Sequence, residues 1–294
     1  LGEDQTCYAL AKASIALARA GDFAEARKIA SALPELENNI SGPSETLCQI
    51  GEIQMASGDF AGAKSTLLAS IEAFGGPQAP AIGPGLHIRE RAVLRDGEGN
   101  VIPPVGRTPE AATMLAHLGD FAPGHAVLPR TRGFTRRDLL FQLAISERAW
   151  GDAPAAKADF AAAIQEARSI LGRSIKNTET DHLVAESEAV RAGDPKVRQL
   201  DYDLAVLSKF LAASGDLASA RVAVSAIIGP DGRRDNPEAH AIAQELLATG
   251  RAMTGDLKGA IDEALALRSP LVRRAALSGA AVGYRAWKQT RLAK

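Results

Sequence analysis

A turn signal, Gly-Asp followed by a small or apolar residue, recurs six times along the 294-residue chain and constrains its fold more than any other feature; a seventh Gly-Asp, Gly193-Asp194, is followed by proline. The copies are Gly21-Asp22, Gly58-Asp59, Gly119-Asp120, Gly151-Asp152, Gly215-Asp216 and Gly255-Asp256. Successive copies are 37, 61, 32, 64 and 40 residues apart, and each long gap is close to two repeat lengths. Periods of this size predict stacked helical hairpins.

The chemistry of the turn explains its residues. Glycine ends the first helix of a hairpin in a left-handed conformation that other residues resist. The aspartate then caps the second helix by accepting backbone N–H bonds that have no helical partner. An apolar residue such as Phe23 or Phe60 follows the cap, and we expect it to fill the hairpin interface. Alanine is usually the fifth residue beyond the glycine, where it allows the helices to approach closely.

Two segments carry the full pattern, IGEIQMASGDFAGAKSTLLASI (50–71) and ATGRAMTGDLKGAIDEALAL (248–267). In the first, Gly51 provides a small residue in the first helix, ahead of Gly58-Asp59-Phe60 and Ala63. The chain thereby resembles a degenerate tetratricopeptide-repeat-like α-solenoid over about two-thirds of its length. The resemblance implies an all-α, right-handed superhelical stack of antiparallel helix hairpins with a long concave face for binding.

The expected layout is one α-solenoid domain over 1–294, with a separate helix at 181–192 and a basic C-terminal capping helix at 270–294. The six hairpins are predicted at about 4–33, 44–74, 109–129, 138–172, 196–228 and 237–268. Residues 75–108 interrupt this layout, because five prolines and seven glycines break any helix there. Within this insertion, HIRERAVL (87–94) alternates apolar and charged residues, so a small β-hairpin is one interpretation.

Gly58 to Ser65 also resembles a phosphate-binding loop, but the context disfavours a nucleotide site. Such a loop needs glycine before its lysine and a preceding strand. Here Ala63 precedes Lys64, and the residues before Gly58 have a helical pattern. We therefore interpret the segment as a structural turn.

Composition excludes some classes of protein. Hydrophobic residues make up 46% of the chain and aromatic residues only 4%, so the core must be built mainly from Ala, Leu, Ile and Val. The sequence contains no run of about 18 apolar residues, so it predicts no membrane span. The first residues do not resemble a signal peptide. We therefore expect a soluble protein, and the sequence does not decide between the cytoplasm and the periplasm. Cys7 and Cys48 are expected to be buried thiols, with pairing between them left open.

Charge is unevenly distributed although the net charge is −1. Residues 1–60 hold nine acids and four bases, whereas residues 264–294 hold seven bases and no acid. This asymmetry suggests docking of the final helix on an acidic surface, including self-association between the acidic N-terminal and basic C-terminal ends. The candidate partner-binding residues of this helix are Arg273, Arg274, Tyr284, Arg285, Trp287 and Lys288.

A second basic cluster lies in PRTRGFTRRD (129–138). Its candidate partner-binding residues are Arg130, Arg132, Phe134, Arg136 and Arg137. Guanidinium groups beside an aromatic ring suit phosphate or RNA, which keeps an RNA- or anion-binding repeat protein as an alternative. The pI of 6.6 disfavours nucleic acid, however, and a solvated loop between repeats explains the same residues.

The sequence favours a non-enzymatic scaffold that binds a protein or peptide on its concave face and organises an assembly. No catalytic motif or cofactor motif appears, and none of the five histidines forms a close metal-ligand pair with another histidine and a nearby carboxylate. His117 and His125 bracket one turn and leave a weak metal site open there, but packing or surface roles are favoured for the histidines because a metal site needs several converging ligands. An enzyme or a lipid-binding protein without recognisable motifs is the remaining alternative, because fold alone does not fix function. The partner itself is not specified by the sequence.

Overall fold

The computed structural model describes residues 3–34, 42–73, 108–185, 195–227 and 237–292. Throughout these ranges the secondary structure is helical, with thirteen α-helices and no strand, which confirms the predicted all-α class. The helices are α1 (Glu3–Arg19), α2 (Phe23–Ser31), α3 (Pro43–Ser57), α4 (Phe60–Ala73), α5 (Thr108–His117), α6 (Ala122–Val127), α7 (Gly133–Trp150), α8 (Ala153–Ala185), α9 (Pro195–Ser214), α10 (Leu217–Ser225), α11 (Pro237–Ala252), α12 (Leu257–Leu265) and α13 (Pro270–Leu292). The first twelve form six consecutive helical hairpins.

Each predicted turn glycine has a left-handed backbone. The φ angles are 92° at Gly21, 86° at Gly58, 81° at Gly119, 96° at Gly151, 100° at Gly215 and 93° at Gly255. At five turns the next residue also caps the following helix as predicted, because its carboxylate accepts a hydrogen bond from the backbone amide three residues later. These caps are Asp22, Asp59, Asp152, Asp216 and Asp256. Local chemistry therefore sets the hairpin turns.

The turn at Gly119 departs from the predicted capping. The N-cap of α6 is Phe121, which makes no side-chain capping bond. The carboxylate of Asp120 instead lies 2.9 Å from the ammonium of Lys64 on α4. Ser65, next to Lys64, accepts a hydrogen bond from Arg27 on α2. Lys64 and Ser65, which resembled the end of a phosphate-binding loop, thus connect neighbouring hairpins.

The residue after the cap fills the hairpin interface in some repeats only. Phe23 packs against the buried cluster around Ala26, as predicted. Phe60 does not follow the prediction, since 40% of its surface is exposed. Gln54 occupies the interface there, with its amide group bonded to Thr66 and Asp59. A polar network has replaced the expected aromatic filler.

The core is built from small side chains, as the composition predicts. The alanines at the fifth position beyond the turn glycines are 0–2% exposed, namely Ala26, Ala63, Ala156, Ala220 and Ala260. A residue without a Cβ allows still closer approach: a Cβ added at Gly51 would lie 2.7 Å from the side chain of Leu67. The short distance explains why a small residue is needed at this point of the first helix.

The chain forms two compact units, residues 1–135 and residues 136–292. In the first unit, α1 packs on α2 and α3, and α3 packs on α4 and α5. In the second unit, α9 packs on α8, α10 and α11, and α11 packs in turn on α12 and α13. Within each unit, these contacts join a hairpin to itself or to its neighbour in sequence.

Very close backbone contacts hold α11 between α9 and α13. A Cβ at Gly250 of α11 would lie 2.2 Å from the carbonyl oxygen of Lys209 on α9. A Cβ at Gly279 of α13 would lie 2.0 Å from the carbonyl oxygen of Glu245 on α11. The hydroxyl of Thr249 also donates to the carbonyl of Gly279 over 3.1 Å. Glycine is therefore required where these three helices meet.

Two further predictions concern the helix boundaries and the insertion. The prediction that a separate helix starts at residue 181 is wrong, because α8 runs without a break from Ala153 to Ala185. The rest of the predicted helix over 181–192 lies outside the described residues. Gly172 does not end α8, since its φ is not in the left-handed region. The insertion predicted at 75–108, with its β-hairpin, lies outside the described residues apart from Thr108. No described helix is long and apolar enough to cross a membrane.

Candidate interaction surfaces

A groove runs between α1 and α3, the first helices of adjacent hairpins in the first unit. It has a volume of about 430 Å³ and is open to solvent. Ile15, Ile53 and Ala56 supply its apolar lining, and Arg19, Gln49 and Glu52 supply polar groups. The hairpin turn at Gly21 ends α1 just beyond Arg19, which places this guanidinium at the end of the groove wall.

The two charged groups of this groove come from different helices. Arg19 belongs to α1 and Glu52 to α3, and both side chains are exposed. Neither makes an ion pair with any described residue. An opposite charge on a ligand would therefore meet each group without displacing an existing partner. The apolar lining between them offers the surface on which burial stabilises a complex.

A second groove, in the other unit, has a different charge arrangement. It lies against α8 and α9 and has a volume of about 440 Å³, with Arg168 and Asp216 among its lining residues. These two charges interact with each other. The hydrogen bonds from Ser219 are the main cause that lowers the pKa of Asp216, and Arg168 lowers it further. The charge of Arg168 thus acts on Asp216 within this groove.

The predicted cluster from Arg130 to Arg137 is divided by burial. Arg132 and Phe134 are exposed, Arg130 and Arg136 are half-buried, and Arg137 is only 5% exposed. The guanidinium of Arg137 lies 2.8 Å from Asp138 and 5.7 Å from the ring centre of Phe210. Arg137 therefore takes part in the packing of the second unit, while the other four stay candidates for partner binding.

Arg137 belongs to a cation–aromatic cluster that the sequence did not predict. The rings of Phe141 and Phe210 stack with centres 4.1 Å apart, and Phe160 meets Phe141 edge-on at 6.0 Å. Lys209 lies 4.9 Å from the ring centre of Phe141, and Arg148 lies 4.5 Å from that of Phe160. These contacts join α7, α8 and α9.

Burial lowers the pKa of two cations in this cluster, Lys209 and Arg148. Burial is the main cause that lowers the pKa of Lys209. The charge of Asp138 raises this pKa, and the charge of Arg137 lowers it further. Burial also lowers the pKa of Arg148, whose guanidinium donates to the carbonyl of Ala213. Each cation contacts an aromatic ring, so packing within the second unit explains why these residues lie together.

The final helix α13 uses some of its predicted binding residues internally. Arg273 donates two hydrogen bonds to the carbonyl oxygen of Leu267, at 3.0 and 2.7 Å, and so caps the end of the preceding hairpin. The rings of Tyr284 and Trp287 stack on each other with centres 5.3 Å apart. Trp287 also covers the turn glycine Gly255, where an added Cβ would lie 3.1 Å from the indole. Arg274, Arg285 and Lys288, in contrast, are exposed.

The two cysteines are confirmed as buried thiols. Cys7 is 2% exposed and Cys48 is fully buried, and no disulfide bond joins them. Cys7 packs with Ala11 and Leu33 at the base of the first hairpin. Both thiols therefore belong to the core of the first unit.

Comparison with known proteins adds no relative: no protein-family model, curated protein or solved structure matches this chain.

Proposed function

We propose that this chain is a non-enzymatic helical-repeat protein that binds a protein or peptide partner and organises an assembly. In this proposal the hairpins of each unit stack as a right-handed superhelix of the tetratricopeptide type. The first helices of the hairpins would then line the inner, concave face of the stack. The groove between α1 and α3 is formed by two such first helices.

The groove with Arg19 and Glu52 is the observation that carries the proposal. An open groove with an apolar lining and two uncompensated opposite charges suits a peptide segment that presents one acid, one base and an apolar side chain between them. Gln49 adds an amide group for a peptide backbone, although it already donates to Glu45 over 2.6 Å. The open groove supplies shape and polar complementarity, and none of its lining residues forms a nucleophile–base pair.

The test exchanges the two charges of the groove. The double variant Arg19→Glu/Glu52→Arg leaves the net charge at −1 but reverses the charge pattern. Peptides are selected from a random displayed library on the original protein and then measured against the double variant. We expect the selected peptides to carry both an acid and a base, and to bind the variant about tenfold or more weakly, because each like-charge contact is unfavourable.

The matched control is Glu25→Lys/Lys28→Glu, which reverses an exposed ion pair on α2 and preserves its pairing. This control should bind the selected peptides as the original protein does. Failure to select any peptide, or equal binding to the groove variant, would contradict the proposal. Co-purification followed by mass spectrometry then identifies the natural partner among proteins that the groove variant loses and the control retains.

A further inference from the structure

One stripe of α13 faces away from its packing partners. Its members are spaced three or four residues apart and are all exposed, namely Leu271, Arg274, Ser278, Val282, Arg285 and Lys288. We call this stripe the outer face of α13. It extends over about 26 Å at 1.5 Å per residue. The opposite side of the helix carries Gly279 and Gly283, which meet the backbone of α11.

The cations of the outer face differ from those of the neighbouring helices. Arg221, Arg251 and Lys258 on α10, α11 and α12 each lie within 2.8 Å of a carboxylate of Asp256, Asp262 or Glu263. Arg274, Arg285 and Lys288 make no ion pair with any described residue, and α13 contains no acid at all. Three positive charges thus lie in one line without local compensation, which favours an acidic partner.

The outer face also exposes apolar surface between its charges. Leu271 is 39% exposed and Val282 is 52% exposed. Ser278, between Arg274 and Val282, is small enough to permit close approach of another helix. Arg274 and Arg285 are eleven residues apart, which corresponds to about 16 Å along the helix axis. A helix with acids at this separation and a short apolar face between them matches the pattern.

Two other anionic partners fit the outer face less well. Single-stranded nucleic acid is bound largely by stacking of bases on aromatic rings. The rings of α13 are engaged internally, since Tyr284 and Trp287 stack on each other and Trp287 covers Gly255. An anionic membrane requires a broad apolar face for insertion, whereas this one presents two large apolar side chains eleven residues apart.

We propose that the outer face of α13 binds an acidic amphipathic helix of another protein. Arg274 contacts an acid at one end of that helix, and Arg285 with Lys288 contacts an acid at the other end. Val282 and Ser278 contact its apolar face. This surface belongs to the second unit and is separate from the groove between α1 and α3, so either proposal can fail without the other.

The experiment measures binding of a labelled synthetic helical peptide with glutamates eleven residues apart and leucines between them. A second peptide with glutamine in place of each glutamate is the neutral comparison. We expect the acidic peptide to bind more tightly than the neutral one, with an affinity that falls as salt increases. In the triple variant Arg274→Gln/Arg285→Gln/Lys288→Gln, binding should weaken about tenfold or more, since three charge contacts are lost.

The control variant Lys28→Gln/Lys157→Gln/Lys258→Gln changes the net charge equally at exposed sites on other helices, and it should bind the acidic peptide normally. Circular dichroism confirms that both variants are folded. Equal binding by the triple and control variants would overturn the proposal. So would tighter binding of a DNA oligonucleotide or of phosphatidylserine vesicles than of the acidic peptide. Concentration-dependent self-association that the triple variant abolishes would also overturn it, because the occupant would then be a second copy.

Discussion

The backbone angle φ of Gly58 determines whether the chain can reverse direction between the end of α3 and the start of α4. Its φ of 86° lies in the left-handed region, and no atom lies within 4 Å of an added Cβ. A side chain at this position would therefore find enough space but would be conformationally strained. The free energy cost is about 1–2 kcal/mol for a non-glycine residue in this conformation.

We expect Gly58→Ala to lower the free energy of unfolding by about 1 kcal/mol, as measured by urea denaturation. The control is Gly172→Ala in α8, where an added Cβ also finds open space but φ is not in the left-handed region. That change should be neutral or stabilising by up to about 1 kcal/mol, because alanine favours helix. Equal destabilisation by the two changes would show that the turn conformation is not the cause.

Residue-level chemistry was the part of the structure that the sequence predicted best. A left-handed glycine followed by an aspartate cap depends on adjacent residues only, so the pattern of Gly58-Asp59 is readable without tertiary information. Asp120 shows the limit of such prediction. Its carboxylate forms an ion pair with Lys64, which lies 56 positions earlier in the sequence, and no local sequence pattern predicts that contact.

Among the helices, α11 and α13 illustrate how glycine sets the distance between elements. Gly279 and Gly283 of α13 each face a carbonyl oxygen of α11, at 2.0 and 2.2 Å from an added Cβ. These distances are far below ordinary van der Waals contact. A methyl group there would force the two helix backbones apart.

We therefore expect Gly279→Ala to destabilise the protein by about 1–3 kcal/mol, the usual cost of overpacking. Ser278→Ala, one residue earlier on the exposed side of α13, is the matched control and should change stability by less than about 0.5 kcal/mol. Thermal unfolding followed by tryptophan fluorescence is a suitable measurement, because Trp287 lies on α13 itself. A Gly279→Ala protein as stable as the control would refute the close approach of the helices.

Element boundaries were predictable only where turn chemistry marked them. The sequence placed the end of a helix at Gly172, but α8 continues to Ala185, since a glycine inside a helix costs only about 1 kcal/mol. The cation–aromatic cluster of Phe141, Phe160 and Phe210 was missed for another reason. Its members come from three helices, and only tertiary packing brings them together. The residues that line the groove between α1 and α3 were not predicted either, because they come from two different hairpins.

On the scale of the whole molecule, acidic side chains couple stability to pH. The hydrogen bonds from Ser219 and Arg251, respectively, are the main cause that lowers the pKa of Asp216 and of Asp256. Burial raises the pKa of Glu263, but hydrogen bonds from Arg221 and Arg251 outweigh it and the net pKa is lowered. A carboxyl group with a lowered native pKa binds fewer protons in the folded state than in the unfolded state.

Their contribution to stability is complete above the unfolded pKa of about 4 and is lost as the pH falls through the lower native values. We expect the urea midpoint to be constant near neutral pH and to fall below about pH 4. Glu263→Gln should lower stability at pH 7 by about 1–2 kcal/mol, because it weakens hydrogen bonds to two arginines. The variant should also show a shallower acid dependence. An acid dependence unchanged by Glu263→Gln would contradict this role.

The hairpin turns have a consequence for how the chain resists proteolysis. Surface turns are ordinarily where proteases cleave, because the chain there can be drawn out into an extended strand. At Gly58-Asp59 the amide of Asp59 is bonded to the carbonyl of Gln54 over 2.9 Å, while its carboxylate holds the amide of Gly62. Cleavage at such a turn requires the ends of both helices to unwind first. The hairpin of α3 and α4 is thus protected at its turn.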